Sequence, residues 1–387
     1  MDSKGSLKTI SSVFFFTAII FAAILPPSDS EAYPFFSRKV GRDCTYCHTV
    51  FPMLNETGRV YRSNGYRFAA DEWNDVKDWR GVPLAAEVEV EGAYNRVKSG
   101  GVGTESSDLK VEEAEITAGG AFGKTGKITA LVSVVSGQTD TGTETSIHKA
   151  FIQVNDLAGP VGEGVLNLRA GQFDIGLPFL NTAEAVISNR YLAESTIGIL
   201  ASEERAVELN GSVVTDEGSY QPTHRYFAGA VREDVYDDDK LKGYYAGYAA
   251  TFKERYNIGG IYRGGHEKSG SRDISFDKWG LSGSAEAGPV IVTAGYFRAN
   301  RSGLPNRTDY VAELIYRPLA RLSLSARYDY LKEKDKKGAK SQTFMARYNI
   351  LSNVFTQLEY RGLTDKSHAA GANEDEDKVR LFLVAVF

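Results

Sequence analysis

The chain has 387 residues, of which 42% are hydrophobic and 25% charged, and its formal net charge is −5. This length allows two or three soluble domains, and the acidic balance argues against nucleic acid as a partner. No internal run of about 18 apolar residues is present that would cross a bilayer as a helix. Glycine (39), tyrosine (21) and phenylalanine (20) are abundant, which is typical of membrane β-barrels and of some soluble β proteins.

Residues 1–32 have the organisation of an export signal peptide. Lys4 and Lys8 supply a basic start, residues 13–25 form an apolar run, and small residues suit cleavage before Tyr33. The alternative is a retained transmembrane anchor, which the shortness of the apolar run disfavours. Export places the mature chain outside the cytoplasm.

Both cysteines of the chain, Cys44 and Cys47, lie in a Cys-Thr-Tyr-Cys-His motif that ends at His48. Thiols at this spacing can both add to the vinyl groups of one haem, and the adjacent histidine then reaches the iron from the same turn. A zinc site would need four ligands, a thioredoxin-like site a βαβ context, and a disulfide framework several cysteine pairs. The motif therefore predicts one covalent haem c, with His48 as an axial ligand of the iron.

We expect residues 33–83 to form a small, mainly helical haem segment. Pro52 suits the first turn of a helix, and Asn64-Gly65 suits its end. A stripe at helical spacing would cover a haem face or pack against any apolar surface; it comprises Phe51, Leu54, Gly58 and Tyr61.

The second axial ligand of the iron is left open by the sequence. The candidates are Met53, the one methionine of the segment, and His224, near the start of a predicted strand with an inward direction. A five-coordinate iron is the alternative. The segment is too short to enclose a haem alone, so we expect it to enter a barrel from the periplasmic side and fill much of the lumen. Arg169 or Arg347 would then lie near the haem propionates.

From about Leu84 onward, apolar and polar residues alternate with period two. Leu322, Leu324 and Tyr328, for example, alternate with charged Arg327 and Asp329. One apolar and one charged face on strand after strand predict an all-β transmembrane barrel over residues 84–387, with lipid outside and a polar lumen inside. A soluble β-sandwich or solenoid is the alternative.

About sixteen antiparallel strands are predicted, so that the C-terminus returns to the periplasmic side. Their ranges are 84–98, 108–122, 125–136, 145–155, 163–174, 204–215, 222–233, 241–252, 255–265, 274–287, 289–300, 307–317, 320–332, 341–350, 353–362 and 377–387. Short turns are expected on the periplasmic side and long loops outside, including 99–107 and 266–273.

One connection, 175–203, is too apolar for a loop that faces water. We expect it to fold into the lumen, with packing over the haem or on the barrel rim as alternatives. The lumen is predicted to carry charges of both signs, on Glu87, Glu89, Glu91, Glu113, Glu115, Glu208, Glu313, Glu359, Arg169, Arg327, Arg347 and Arg361. Two acidic clusters are expected in outer loops, where they would gather divalent cations or simply be solvated. One comprises Asp234, Asp237, Asp238 and Asp239, and the other Glu374, Asp375, Glu376 and Asp377.

The arrangement resembles the fused monohaem cytochrome–porins of the outer membrane, which include outer-membrane cytochromes of iron-oxidising bacteria. The architectural resemblance spans the chain, and the residue-level resemblance covers 43–68. The matching positions are Cys44, Cys47, His48, Pro52, Leu54, Asn55, Gly58, Gly65 and Tyr66. The resemblance implies electron transfer between an extracellular donor, such as ferrous iron or another redox-active metal, and a periplasmic c-type cytochrome.

Two other functions stay open. One is a solute-conducting porin with a structural or sensory haem, and the other is electron export to extracellular metals, whose direction depends on the haem potential. If the protein is an enzyme, the resemblance implies an iron:cytochrome c oxidoreductase, and no residue is assigned a catalytic role. We expect the protein in the bacterial outer membrane, in contact with its lipid.

Overall fold

The computed structural model of the protein describes ten stretches of the chain. These are residues 35–68, 84–100, 102–123, 125–139, 142–215, 222–232, 241–269, 272–334, 338–365 and 374–387. The predicted signal peptide, residues 1–32, lies outside them, as do residues 69–83 of the predicted haem segment. Among the described residues, no helix has both the length and the apolar character needed to cross a membrane.

Sixteen antiparallel strands close into one barrel, in which the last strand of the chain pairs with the first strand of the barrel. The first eight barrel strands are β3 (Leu84–Ser99), β4 (Val102–Phe122), β5 (Ile128–Thr139), β6 (Gly142–Ala158), β7 (Leu166–Ile175), β8 (Ala201–Val214), β9 (Thr223–Val231) and β10 (Gly243–Phe252). The other eight are β11 (Tyr256–Ser269), β12 (Arg272–Ala287), β13 (Val290–Arg301), β14 (Arg307–Leu319), β15 (Leu322–Glu333), β16 (Ala339–Asn349), β17 (Val354–Asp365) and β18 (Glu374–Val386). The predicted antiparallel β-barrel and its number of strands are confirmed.

The wall of the barrel is apolar outside and polar inside, as the period-two pattern predicts. On β15, Arg327 and Asp329 are buried, whereas Leu324 and Tyr328 are each more than a third exposed. A soluble protein would bury the leucine and expose the charges. The reversed pattern means that the interior is polar and that the outer face suits lipid.

In two predicted outer loops, 99–107 and 266–273, most of the described residues belong to strands. Residues 102–107 belong to β4 and pair with β3, and β11 pairs with β12 from Tyr256–Ala285 to Ser269–Arg272. Backbone pairing in these strands continues beyond the apolar band that faces lipid, so the strand ends do not alternate between apolar and polar residues. A prediction from alternation therefore ends each strand at the edge of that band.

The N-terminal segment, residues 35–68, contains short elements that precede the barrel. They are helix α1 (Phe35–Val40), a 3-10 turn (Cys44–Tyr46), the hairpin strands β1 (His48–Val50) and β2 (Met53–Leu54), and helix α2 (Glu56–Ser63). Helix α2 begins later than Pro52 because the Asn55 side chain caps it, accepting a hydrogen bond from the Gly58 amide at 3.0 Å. Its predicted end at Asn64-Gly65 is correct.

The long connection between β7 and β8 lies inside the barrel. Ser188 and Asn189 hydrogen-bond the Glu359 carboxylate of β17, and the Tyr191 hydroxyl donates to Glu313 of β14 at 3.0 Å. Leu177, Ile199 and other apolar residues of this inward loop are almost fully buried. The expectation that residues 175–203 fold into the lumen is therefore correct.

Candidate functional site

The cysteine motif lies in a tight turn against helix α2. Asp43 caps the 3-10 turn by accepting a hydrogen bond from the Thr45 amide at 2.9 Å, and the Cys47 amide donates to the Cys44 carbonyl at 3.2 Å. Helix α2 approaches this turn so closely that a Cβ atom on Gly58 would lie 2.3 Å from the Cys47 carbonyl oxygen. Glycine at this position thus permits the contact between turn and helix.

The His48 ring is oriented by the loop that follows it. Its Nδ1 lies 3.0 Å from the Pro52 carbonyl oxygen, and a carbonyl can only accept, so Nδ1 carries the proton. The lone pair is then on Nε2, which is the atom that would bind iron. Burial lowers the pKa of His48 against the opposing effect of the Pro52 carbonyl and Glu184, which favours the neutral imidazole that a metal ligand requires.

Cys44, Cys47 and His48 all line one cavity of about 240 Å³. Its other walls are mostly apolar, and Phe36, Phe51 and Tyr61 contribute aromatic rings. On the barrel side it is closed by β3, β4 and β18, through Ala85, Thr117 and Val386. A larger cavity, of about 530 Å³, is also lined by Cys44 and His48, together with Arg255 and Arg317 from the short-turn end of the wall. We call the first cavity the cysteine crevice.

The donor set in this crevice fits a c-type haem. Both cysteines are unpaired, both line the crevice, and the His48 imidazole lies beside them. Burial raises the pKa of Cys44, and burial together with Cys44 raises that of Cys47 to about 11. Protonated thiols of this kind are not the thiolates that disulfide exchange requires, and they disfavour the thioredoxin-like alternative.

A buried ion pair joins the end of the N-terminal segment to the barrel wall. The Arg67 guanidinium pairs with Asp156 of β6, and neither side chain is more than 1% exposed. Arg67 also donates to the carbonyls of Thr125 and Gly126, in the turn between β4 and β5. Asp156 in turn accepts from the amides of Gly162 and Gly164.

A second ion pair joins helix α2 to the wall of the barrel. Glu56 is shared by Arg59 of the same helix, at 3.3 Å, and by Arg225 of β9, at 2.6 Å. Burial opposes ionisation of Glu56, but the two guanidinium groups outweigh it and hold its pKa below the usual range.

Two further wall arginines bind backbone carbonyls of the N-terminal segment. Arg347 of β16 donates to the Phe51 carbonyl, and Arg317 of β14 donates to the Thr49 carbonyl at 3.2 Å. The arginines on β9, β14 and β16, with Asp156 on β6, come from strands all around the barrel. Residues 35–68 therefore lie inside it, at the end where the short turns and residue 387 are found, which faces the periplasm in outer-membrane barrels.

The structure separates both predicted second ligands from the cysteine crevice. His224 lies on the opposite face of β9 from inward-facing Arg225 and hydrogen-bonds Tyr248, whose side chain is about half exposed on the outer surface. The predicted inward direction of His224 is therefore wrong, because its position in the two-residue alternation is one step off. Met53 packs with Val50 and Ile187 in an apolar cluster, away from the lining of the crevice.

The arginines predicted near the propionates also differ in position. Arg169 pairs with Glu208 at 2.6 Å and stacks on Phe173, and it lines a cavity other than the crevice. Arg347 reaches Phe51, whose ring borders the crevice. The sequence analysis did not identify Glu56 as a functional residue, although its carboxylate is shared by Arg59 and Arg225.

An acidic cavity of about 340 Å³ adjoins the cysteine crevice along the same wall. Glu87 and Glu115 face each other across β3 and β4, and so do Glu89 and Glu113. Ala85 and Thr117, the next inward-facing pair on these strands, line the crevice, and Phe51 borders both cavities. Same-face positions on a strand are roughly 7 Å apart, so the two cavities follow each other along the barrel axis.

One of the two predicted acidic loops is part of a strand. Glu374–Asp377 form the start of β18, paired with β17 and β3, rather than a loop, because their neighbours extend equally far. Asp234–Asp239 lie outside the described residues. Within the described part of the chain, no group of three or more histidine, cysteine, aspartate or glutamate side chains is arranged to hold a metal ion.

Comparison with known proteins identifies the fold alone. No protein-family model matches the chain, and no curated protein matches it. An anion-selective porin from Comamonas acidovorans superposes with a TM-score of 0.61 at 12% identity, covering 79% of this chain and 99% of the porin. The outer-membrane channel DcaP of Acinetobacter baumannii gives 0.57 at 12% identity, over 81% of this chain and 100% of DcaP. OprB of Pseudomonas putida gives 0.54 at 9% identity, over 80% and 94%.

The chain thus has the fold of an outer-membrane porin. Inside that barrel lies an N-terminal segment that carries a Cys-x-x-Cys-His motif.

Proposed function

We propose that this protein transfers electrons across the bacterial outer membrane, between extracellular ferrous iron and a periplasmic c-type cytochrome. One haem, attached through Cys44 and Cys47 with His48 as an iron ligand, would supply the one-electron redox chemistry. The observation that carries the proposal is that these three residues line one cavity within the barrel. If the transfer is enzymatic, it is that of an iron:cytochrome c oxidoreductase.

The position of the motif supplies the physical reason. The apolar band of an outer-membrane barrel is ~25 Å tall and insulates donors from acceptors. The N-terminal segment brings Cys44, Cys47 and His48 into the lumen, where the side chains of the short-turn end face periplasmic partners. The rings of Phe36, Phe51 and Tyr61 give the crevice a mostly apolar lining, and the Pro52 carbonyl keeps His48 in the tautomer that binds iron.

The acidic cavity supports a cationic donor. Seven carboxylates line this cavity, four of them on Glu87, Glu89, Glu113 and Glu115, and they outnumber its three cations, Lys149, Arg190 and Arg347. The cavity lies on the side of the crevice that faces the long loops. Such a surface raises the local concentration of cations such as ferrous iron. Because the cavity and the crevice share Phe51, a cation held there is one side chain away from the redox motif.

A second candidate function is a solute-conducting porin with a structural or sensory haem. The likeness to three porins and channels favours it, since their fold covers about four fifths of the chain. Conductance in planar bilayers separates the two functions. An electron-transfer protein whose lumen holds the N-terminal segment and the inward loop conducts little, whereas a porin conducts at a level typical of its size.

The test of electron transfer compares the protein with a Cys44→Ala/Cys47→Ala variant. We expect haem staining after denaturing electrophoresis and reduction of the protein by ferrous iron, with both lost in the variant. The measured haem potential then decides the direction of flow, since a potential below that of extracellular metals would favour electron export. Haem staining that survives in the variant contradicts the attachment site.

A further inference from the structure

A further internal cavity, separate from the cysteine crevice and the acidic cavity, lies against another face of helix α2. Gly58 and Tyr61 face the crevice side of this helix, whereas Arg59, Arg62 and Ser63 face this further cavity. Its volume is about 140 Å³, enough for a small polyatomic ion with a few waters. The opposite side of this cavity is formed by β6, β7, β8 and β9.

Five cationic side chains line this cavity, two from the helix and three from the wall. They are Arg59, Arg62, Lys149, Arg169 and Arg225. Four carboxylates pair with them: Arg62 with Glu184, Arg169 with Glu208, Lys149 with Asp174, and both Arg59 and Arg225 with Glu56. Because Glu56 is shared, one positive charge at the cavity has no counter-charge among these pairs.

Two donors beside the cavity have no acceptor. The Nε atoms of Arg225 and Arg169 are buried and lack a hydrogen-bond partner among the residues that the structure describes. Arg225 is itself only 3% exposed. A buried charged donor without an acceptor is costly, and an anion that accepts from these Nε atoms would remove this cost and balance the surplus charge.

We propose that this cavity binds a small oxyanion of the phosphate class. Guanidinium groups match tetrahedral oxyanions through paired N–H donors, and the side chains here come from both the N-terminal segment and the barrel wall. The bound anion therefore bridges the two and holds the N-terminal segment in place. The site is separate from the cysteine crevice and does not depend on the proposed electron transfer.

The test measures binding of inorganic phosphate to the full-length protein, purified in detergent without phosphate, by equilibrium dialysis with labelled phosphate. We expect one phosphate per chain, displaced by sulfate and not by an equal concentration of chloride. The Arg169→Gln variant should weaken binding about tenfold or more, because a charged donor to the anion is lost. Glu208 keeps the hydrogen bonds from Asn210 and Tyr245 in this variant, so the wall should fold.

Arg62→Gln tests the same site from the helix side, since Glu184 keeps the Leu54 amide and Asn181 as donors. Arg301→Gln is the matched control, because Arg301 pairs with Glu267 away from the cavity and Lys278 also contacts that carboxylate. Phosphate should also slow proteolytic release of the N-terminal segment in the native protein and not in Arg169→Gln. Absence of binding, equal displacement by chloride, or binding that neither Arg62→Gln nor Arg169→Gln weakens would overturn the proposal.

Discussion

The buried pair between Arg67 and Asp156 gives the sharpest test of how the N-terminal segment is held. In an Arg67→Met variant, Asp156 loses its cation while keeping two amide donors, and two carbonyls of the β4–β5 turn lose their donor. Removing one partner of a buried pair costs about 3–5 kcal/mol. We take the lower end, about 3 kcal/mol, because the amides of Gly162 and Gly164 still stabilise the carboxylate. Opening of the segment should then become roughly 100-fold more frequent.

Limited proteolysis of the folded protein in detergent measures this opening, since the cleavage rate follows the open population when closing is fast. The control is Arg96→Met, which removes an exposed partner of Glu105 in a pair with a 3.9 Å separation. Exposed pairs of this kind are worth at most about 1 kcal/mol. If Arg67→Met raises the cleavage rate no more than Arg96→Met does, the segment is not held by this pair.

Three further outcomes are expected. Gly58→Ala should lower covalent haem yield, because the new Cβ would meet the Cys47 carbonyl at 2.3 Å and overpacking costs about 1–3 kcal/mol; haem staining per milligram of protein measures this. The pKa of Glu56 is held low in the folded state, so its contribution to stability is present above its ordinary pKa and lost as the pH falls through the lowered value. Cleavage of the segment by pepsin should therefore accelerate as the pH falls, with a flatter profile in Glu56→Gln. A Glu87→Gln/Glu115→Gln variant should raise the apparent KM for ferrous iron about two- to fivefold at low salt, and less at high salt.

Each of these outcomes has a result that contradicts it. Normal haem yield in Gly58→Ala would mean that the helix and the cysteine turn tolerate separation. Identical pepsin profiles in the native protein and Glu56→Gln would remove Glu56 as the acid-sensitive contact. For the acidic cavity, the control is Glu105→Gln on the exposed part of β4, and an equal change in KM in both variants would indicate general surface charge rather than the cavity.

The barrel could be predicted from the sequence because its physics is local. On strands such as β15, the polarity of each residue indicates whether it faces the lumen or the lipid. The predicted bounds of all sixteen strands lie within a few residues of the observed ones, except where a strand extends past the apolar band. Val102 at the start of β4 and Glu374 at the start of β18 were missed for that reason, since polar strand ends look like loops.

The candidate site was predictable only in its covalent chemistry. Cys44, Cys47 and His48 are adjacent in sequence, so their spacing carries the prediction. The contacts that hold them join residues far apart in the chain, such as Glu56 with Arg225 and Arg67 with Asp156. The alternation of apolar and polar residues does not predict which distant residues pair. His224 shows the same limit, because a shift of one residue on β9 moves a side chain from the lumen to the lipid face.

The central claim is tested most directly in vesicles. The full-length protein is reconstituted into liposomes that contain a soluble oxidised c-type cytochrome, and ferrous iron is added outside. We expect the native protein to reduce the enclosed cytochrome, and the Cys44→Ala/Cys47→Ala variant at matched barrel content not to reduce it. The contrary result has two parts: the enclosed cytochrome stays oxidised, and the protein makes the same vesicles permeable to small solutes. That result would contradict electron transfer and leave the porin function.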